Sequence, residues 1–132
     1  MKFTQLPDAY GRFWRWEKDT PSLYVEAARK CLTFKAAGAS AQAYRISTTN
    51  SVTYVNELVD VVCCFDGATK EIGMYVNGEK VGLQQGTQAS GGGNTLTIGN
   101  IDTKDYNIDF AMYAFQVYDT VLSEDQIRGL LK

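Results

Sequence analysis

The sequence predicts an all-β protein, a sandwich or barrel of short strands with one helix at its C-terminal end. Three observations lead there. Apolar and polar residues alternate along most of the chain, the spacing of strands that bury one face. Turn dipeptides such as Asp66-Gly67 and Asn77-Gly78 punctuate the alternating runs. Helical spacing is confined to the last stretch, LSEDQIRGLLK.

The elements follow in order. RFWRW, SLYVE, KCLTFKA, AYRIS and VTYVN each read as a short strand, although VEAARKCL also suits one helical turn. Over residues 58–65, Val59, Val61, Cys63 and Phe65 share one face, and Leu58, Asp60, Val62 and Cys64 share the other. Ile72, Met74 and Val76 alternate with Gly73, Tyr75 and Asn77. The following Asn-Gly favours a two-residue hairpin with both central residues at positive φ. QQGTQASGGGN, residues 84–94, reads as an exposed loop. Ile108, Phe110, Met112 and Ala114 predict a strand over 108–118, with a bulge or bend where the apolar face changes near Phe115. In the helix, Ser123 and Gln126 form a capping box and Leu122 and Ile127 a hydrophobic staple.

Bulk composition narrows the function classes. At 132 residues the chain is the size of one domain, residues 1–132, and needs no metal or disulfide staple. A net charge of −2 without a basic block gives no electrostatic footprint for nucleic acid. No apolar run approaches a membrane span, and the opening MKFTQLPDAYGRFW does not read as a signal peptide. A complete chain of this kind is expected to be made in the cytoplasm or carried in a virion; an excised domain of a surface protein is the other expectation. The three cysteines cannot all pair within one chain, which fits a reducing compartment. There is no histidine, so Ser–His and Cys–His nucleophiles and histidine-bearing zinc sites are excluded.

FDGATKEIGMYVNGEKVG, LTIGN and FAMYAFQVYDTVLSEDQI occur in that order across residues 58–132. Together they resemble the laminin-G-like, concanavalin A-like lectin and glucanase family. The resemblance implies a two-sheet antiparallel jelly-roll sandwich of about ten strands with a small C-terminal helix. It also implies a mixed functional range: sugar-binding and protein-binding modules, bacteriophage virion appendages and some glucanases. Residues 1–57 carry no matching motif.

Candidate sites follow from residue chemistry. A glycosidase needs paired carboxylates, and no Glu-x-Asp-x-x-Glu spacing occurs, so the chain reads as a non-enzyme. Asn100, Asp102, Asp105, Asn107 and Asp109 offer hard oxygen donors suited to calcium, and equally to turns. Calcium is the one cofactor the residues suggest. Tyr10, Trp14, Trp16 and Tyr24 supply aromatic faces for a ligand. On a regular strand, Trp14 and Trp16 would share a face with Arg12 and Lys18. Such a set suits a sugar platform, a protein interface or a filled core. Cys63 and Cys64 read as two faces of one strand, Cys63 inward and Cys64 outward, and Cys31 as a packed small hydrophobe.

The reading is a non-catalytic adhesion module for a glycan or protein on a surface. Its alternative is a structural subunit of a bacteriophage virion, assembled with other virion proteins.

Overall fold

The computed structural model describes residues 1–7, 10–16, 21–36, 45–49, 54–85, 95–99 and 108–130. It contains a five-stranded and a three-stranded antiparallel sheet facing each other across an apolar core. In the first sheet the order is β5 (Arg45–Ser47), β4 (Cys31–Lys35), β3 (Ser22–Glu26), β2 (Tyr10–Trp16) and β9 (Leu96–Ile98). The second holds β6 (Val61–Phe65), β7 (Glu71–Val76) and β8 (Glu79–Gln85). A third, short pair joins β1 (Lys2–Phe3) to β10 (Phe110–Ala111). This is the expected antiparallel β-sandwich.

Alternation sets the core. Leu23, Val25, Leu32, Phe34 and Ile46 project inward from the first sheet, and Ile72, Met74 and Val76 from the second. Ile72 and Met74 are almost fully buried, each contributing about 1.5–3 kcal/mol of apolar burial. Phe13 stacks between Phe3, 5.4 Å away, and Phe110, 5.1 Å away and nearly perpendicular, so three rings close the β1–β10 end.

The turns behave as their residues dictate. Asn77 and Gly78 take φ of 51° and 81°, giving the tight β7–β8 hairpin. The Asn77 side chain also accepts the Asp60 amide at 2.9 Å, tying the hairpin to the start of β6. Asp66 accepts the Ala68 and Thr69 amides, which folds the β6–β7 loop and lets Lys70 enter the left-handed region at φ 64°. Residues 27–30 are a hairpin turn rather than a helical one, with Lys30 at φ 54°.

Helix α1 (Glu124–Gly129) carries the predicted capping box: the Gln126 amide donates to Ser123 Oγ, and the Ser123 amide donates to Gln126 Oε1. Ile127 is its buried residue, and the Lys80–Glu124 ion pair docks the helix on β8. Of the described residues, no helix is long and apolar enough to cross a membrane.

Two expected strands differ. Tyr54 to Glu57 form a turn, not the end of a strand, because Asn56 adopts φ 68° and the Glu57 amide bonds back to the Tyr54 carbonyl. The long strand over 108–118 is reduced to Phe110–Ala111. Burial alternates from Ile108 to Met112, but Ala114 is then exposed and Phe115 turns inward. That slip of one residue exchanges the two faces, so no single ladder can hold the whole segment.

Candidate functional site

The site is built by an irregularity in β2. Arg12 pairs with Tyr24, yet Trp14 pairs with Leu23, so Phe13 is an extra residue in the ladder. The bulge turns Trp14 to the inner face beside Leu23 and leaves Arg12 on the outer face beside Tyr24. Trp14 and Trp16 do share a face, as expected, but Arg12 lies opposite them. Lys18 lies outside the described residues.

The four candidate aromatics are thereby split into two pairs. Tyr10 and Tyr24 meet edge-on at 5.9 Å on the outer face, next to the Glu26–Arg29 ion pair. Trp14 and Trp16 face a groove of about 710 Å³ that opens between the sheets. Its other walls come from Cys63 and Phe65 of β6 and from Phe115 and Tyr118 of the C-terminal segment. Among the described residues β6 is an edge strand, and the segment that lines the groove with it does not pair with it. The gap between them is the groove, and its volume is in the range of small-ligand sites.

Trp14 is fixed in this wall. Its ring lies 6.2 Å from Phe34 and 6.2 Å from Phe115, the latter edge-on. Trp16 is held through its backbone, whose amide donates to the Pro21 carbonyl at 2.9 Å, and through its pairing with Leu96. Both indoles are half-buried, which leaves part of each surface toward the groove. Phe115, Tyr118 and the β6 wall line the groove, and sequence reasoning missed them. The change of apolar face at Phe115 was their one visible signal.

Charge gathers at the margin. Asp60, Asp66 and Asp119 all line the groove. The backbone amides of Thr69 and Ala68 hold the Asp66 carboxyl below its ordinary range. A second cavity, of about 250 Å³, lies between the start of α1 and the outer face of β6 and β7, lined by Cys64, Tyr75, Glu71 and Glu124 among others. Burial pushes the Cys64 thiol and the Tyr75 hydroxyl up, while the Lys80 ammonium pulls the Glu124 carboxyl down. Cys63, on the groove side, is pushed well up by burial and then by Cys64. These are the opposite conditions from those that activate a thiolate.

Of the candidate calcium ligands, Asn100, Asp102, Asp105 and Asn107 lie outside the described residues, and Asp109 is exposed. Among the described residues no cluster of three or more metal-donor side chains occurs.

Comparison with curated proteins returns no match. Among solved structures, the chain is similar to an S-layer domain-containing protein (residues 221–444) from Clostridium thermocellum ATCC 27405. The two share 18% identity with a TM-score of 0.43, over 100% of this chain and 68% of that one. The laminin G model of the concanavalin A-like lectin/glucanases superfamily matches residues 1–128, and the chain belongs to that superfamily.

Proposed function

We propose that the protein is a non-catalytic binding module whose inter-sheet groove takes a sugar chain displayed on a surface. The observation that carries the reading is the placing of Trp14 and Trp16 side by side on the groove wall, at alternate positions of one strand. Indole faces stack on the apolar faces of sugar rings, and nearby carboxylates and backbone groups supply hydrogen bonds to hydroxyls.

The described cavity carboxylates do not favour a glucanase reading. Glycoside hydrolysis requires a carboxyl whose pKa is raised, poised opposite a second carboxylate. Asp66 and Glu124, the described cavity carboxylates with displaced pKa values, are both pulled down. The virion-subunit alternative has no observation behind it in the matches above. A surface protein remains the other partner class for such a module, and the outer Tyr10–Tyr24 pair is where a protein would be read.

The test is titration of intrinsic tryptophan fluorescence with a panel of oligosaccharides, using the intact chain and Trp16→Ala. A saturable change with at least one oligosaccharide, lost in Trp16→Ala and retained in Tyr10→Ala, supports the groove. No change with any oligosaccharide at millimolar concentration overturns it.

A further inference from the structure

The groove's walls and its margin differ in character. The walls are aromatic and apolar, while the charged side chains among the described lining residues are the three carboxylates Asp60, Asp66 and Asp119. No lysine or arginine occurs among those residues. The sole cationic group there is the Met1 ammonium, which donates to the Val59 carbonyl at 2.8 Å and faces Asp60. Among the described lining residues, an anionic ligand therefore meets carboxylates with no guanidinium or side-chain ammonium beside them. A cationic ligand meets the three carboxylates and two half-buried indoles of the wall, and both kinds of group attract it.

Resting on the sugar-binding reading above, we infer that the groove selects amine-bearing sugar chains, those with free amino groups on the ring, over neutral ones and excludes sulfated or carboxylated ones. The spacing agrees with a chain of rings. Trp14 and Trp16 are two residues apart on an extended strand, about 7 Å along the strand axis from the strand rise, so successive rings of one oligosaccharide can address both indoles. The amino group then lies over an indole or against Asp60 or Asp119. These two carboxylates are exposed, and no hydrogen bond of the turn network uses their side chains; Asp119 is open to a ligand, and Asp60 meets one beside the Met1 ammonium. Asp66 is occupied with the Ala68 and Thr69 amides and serves as a fixed negative charge.

The experiment is calorimetric titration of the intact chain at low and physiological salt with four probes. Three are oligosaccharides of equal length: a glucosamine oligomer with free amines, its fully N-acetylated counterpart, and a sulfated oligosaccharide. The fourth is a lysine-rich peptide. The amine-bearing oligomer is expected to bind about tenfold more tightly than the neutral one at low salt, the scale of two partly exposed ammonium–carboxylate pairs at Asp60 and Asp119. The sulfated probe is expected to give no heat. In the Asp60→Asn/Asp119→Asn double variant, which leaves the backbone bonds at Asp60 in place, the preference collapses while the neutral oligomer still binds. Equal affinity for the amine-bearing and neutral oligomers, or tight binding of the sulfated one, overturns the charge selection and leaves the sugar-binding reading standing. Heat from no oligosaccharide overturns both. Binding of the lysine-rich peptide as tight as that of the amine-bearing oligomer overturns the sugar class in favour of a cationic protein segment.

Discussion

The ring of Trp14 meets the ring of Phe115 edge-on, centroids 6.2 Å apart and planes inclined by 77°. Trp14 belongs to the five-stranded sheet, and Phe115 lies in the C-terminal segment beyond β10, outside either sheet. This contact pins an otherwise unladdered stretch of chain to the sandwich and sets the width of the groove. Phe115→Ala removes it. Because Phe115 is half-buried, the expected loss of stability is about 2 kcal/mol, below the 3–5 kcal/mol of a fully buried phenylalanine. Urea unfolding measures it, and tryptophan emission should shift to the red as Trp14 gains water. An unchanged midpoint and spectrum would remove Phe115 from the groove wall.

Gly11 tests the packing on the other flank of the bulge. A Cβ built there would stand 2.6 Å from the Ile108 Cβ, so β2 needs glycine for the close approach of the C-terminal segment. Gly11→Ala is expected to cost about 1–3 kcal/mol by overpacking. Ile108→Ala in the same background relieves the contacts with Cγ2 and Cδ1 but retains Cβ, so recovery should be partial. A neutral or stabilising Gly11→Ala would show that residue 108 does not pack on β2.

The two adjacent cysteines should be slow thiols. Cys63 faces the core side and Cys64 pairs opposite Gly73 under the start of α1, and burial raises both thiols. Native protein at pH 8 should therefore react with iodoacetamide at least tenfold more slowly than unfolded protein, since the thiolate is the nucleophile. The linkage sign follows from the raised folded pKa values. The neutral thiols favour the fold fully below the unfolded pKa, and that contribution is lost as pH rises through the folded values. Native labelling as fast as in denaturant would place both sulfurs in water.

How far the sequence made this legible depends on where alternation was unbroken. β6, β7 and β8 were readable because Val61, Cys63 and Phe65 alternate cleanly and the Asn77-Gly78 turn fixes their register. Cys64 was readable only in part. It is on the outer face of the sheet, as alternation requires, but that face is covered by α1, which meets β8 through Lys80 and Glu124, far apart in sequence. The groove was not legible. It exists because Phe13 bulges out of the β2 ladder and because Phe115 slips the face of the last segment, and an alternation count registers each as a mere irregularity. The aromatic quartet was picked out by residue type alone, and the bulge in β2 divides it between two faces. The proposed calcium donors at residues 100–107 fall outside the described residues and stay an expectation from chemistry alone.

Acid should weaken the fold through two named carboxylates. The amides of Thr69 and Ala68 depress the Asp66 pKa, and the Lys80 ammonium depresses that of Glu124. A carboxyl with a depressed folded pKa contributes stability that is present above its unfolded pKa and lost as pH falls through the folded one. For Asp66 the reference is 3.8 and for Glu124 it is 4.5, so the loss begins near those values and extends below them. Both groups are solvent-exposed, so screening keeps each contribution small, and salt should shrink that of the Lys80–Glu124 pair more than that of Asp66. Asp66→Asn keeps one acceptor for the two amides but no titrating group. It should therefore flatten the acid limb of a stability-against-pH curve with only a modest change at pH 7. Glu124→Gln should flatten the same limb and also remove the salt sensitivity. If both variants trace the parent curve between pH 5 and pH 2, the acid response lies elsewhere, and the docking of α1 cannot owe anything measurable to the pair that links it to β8.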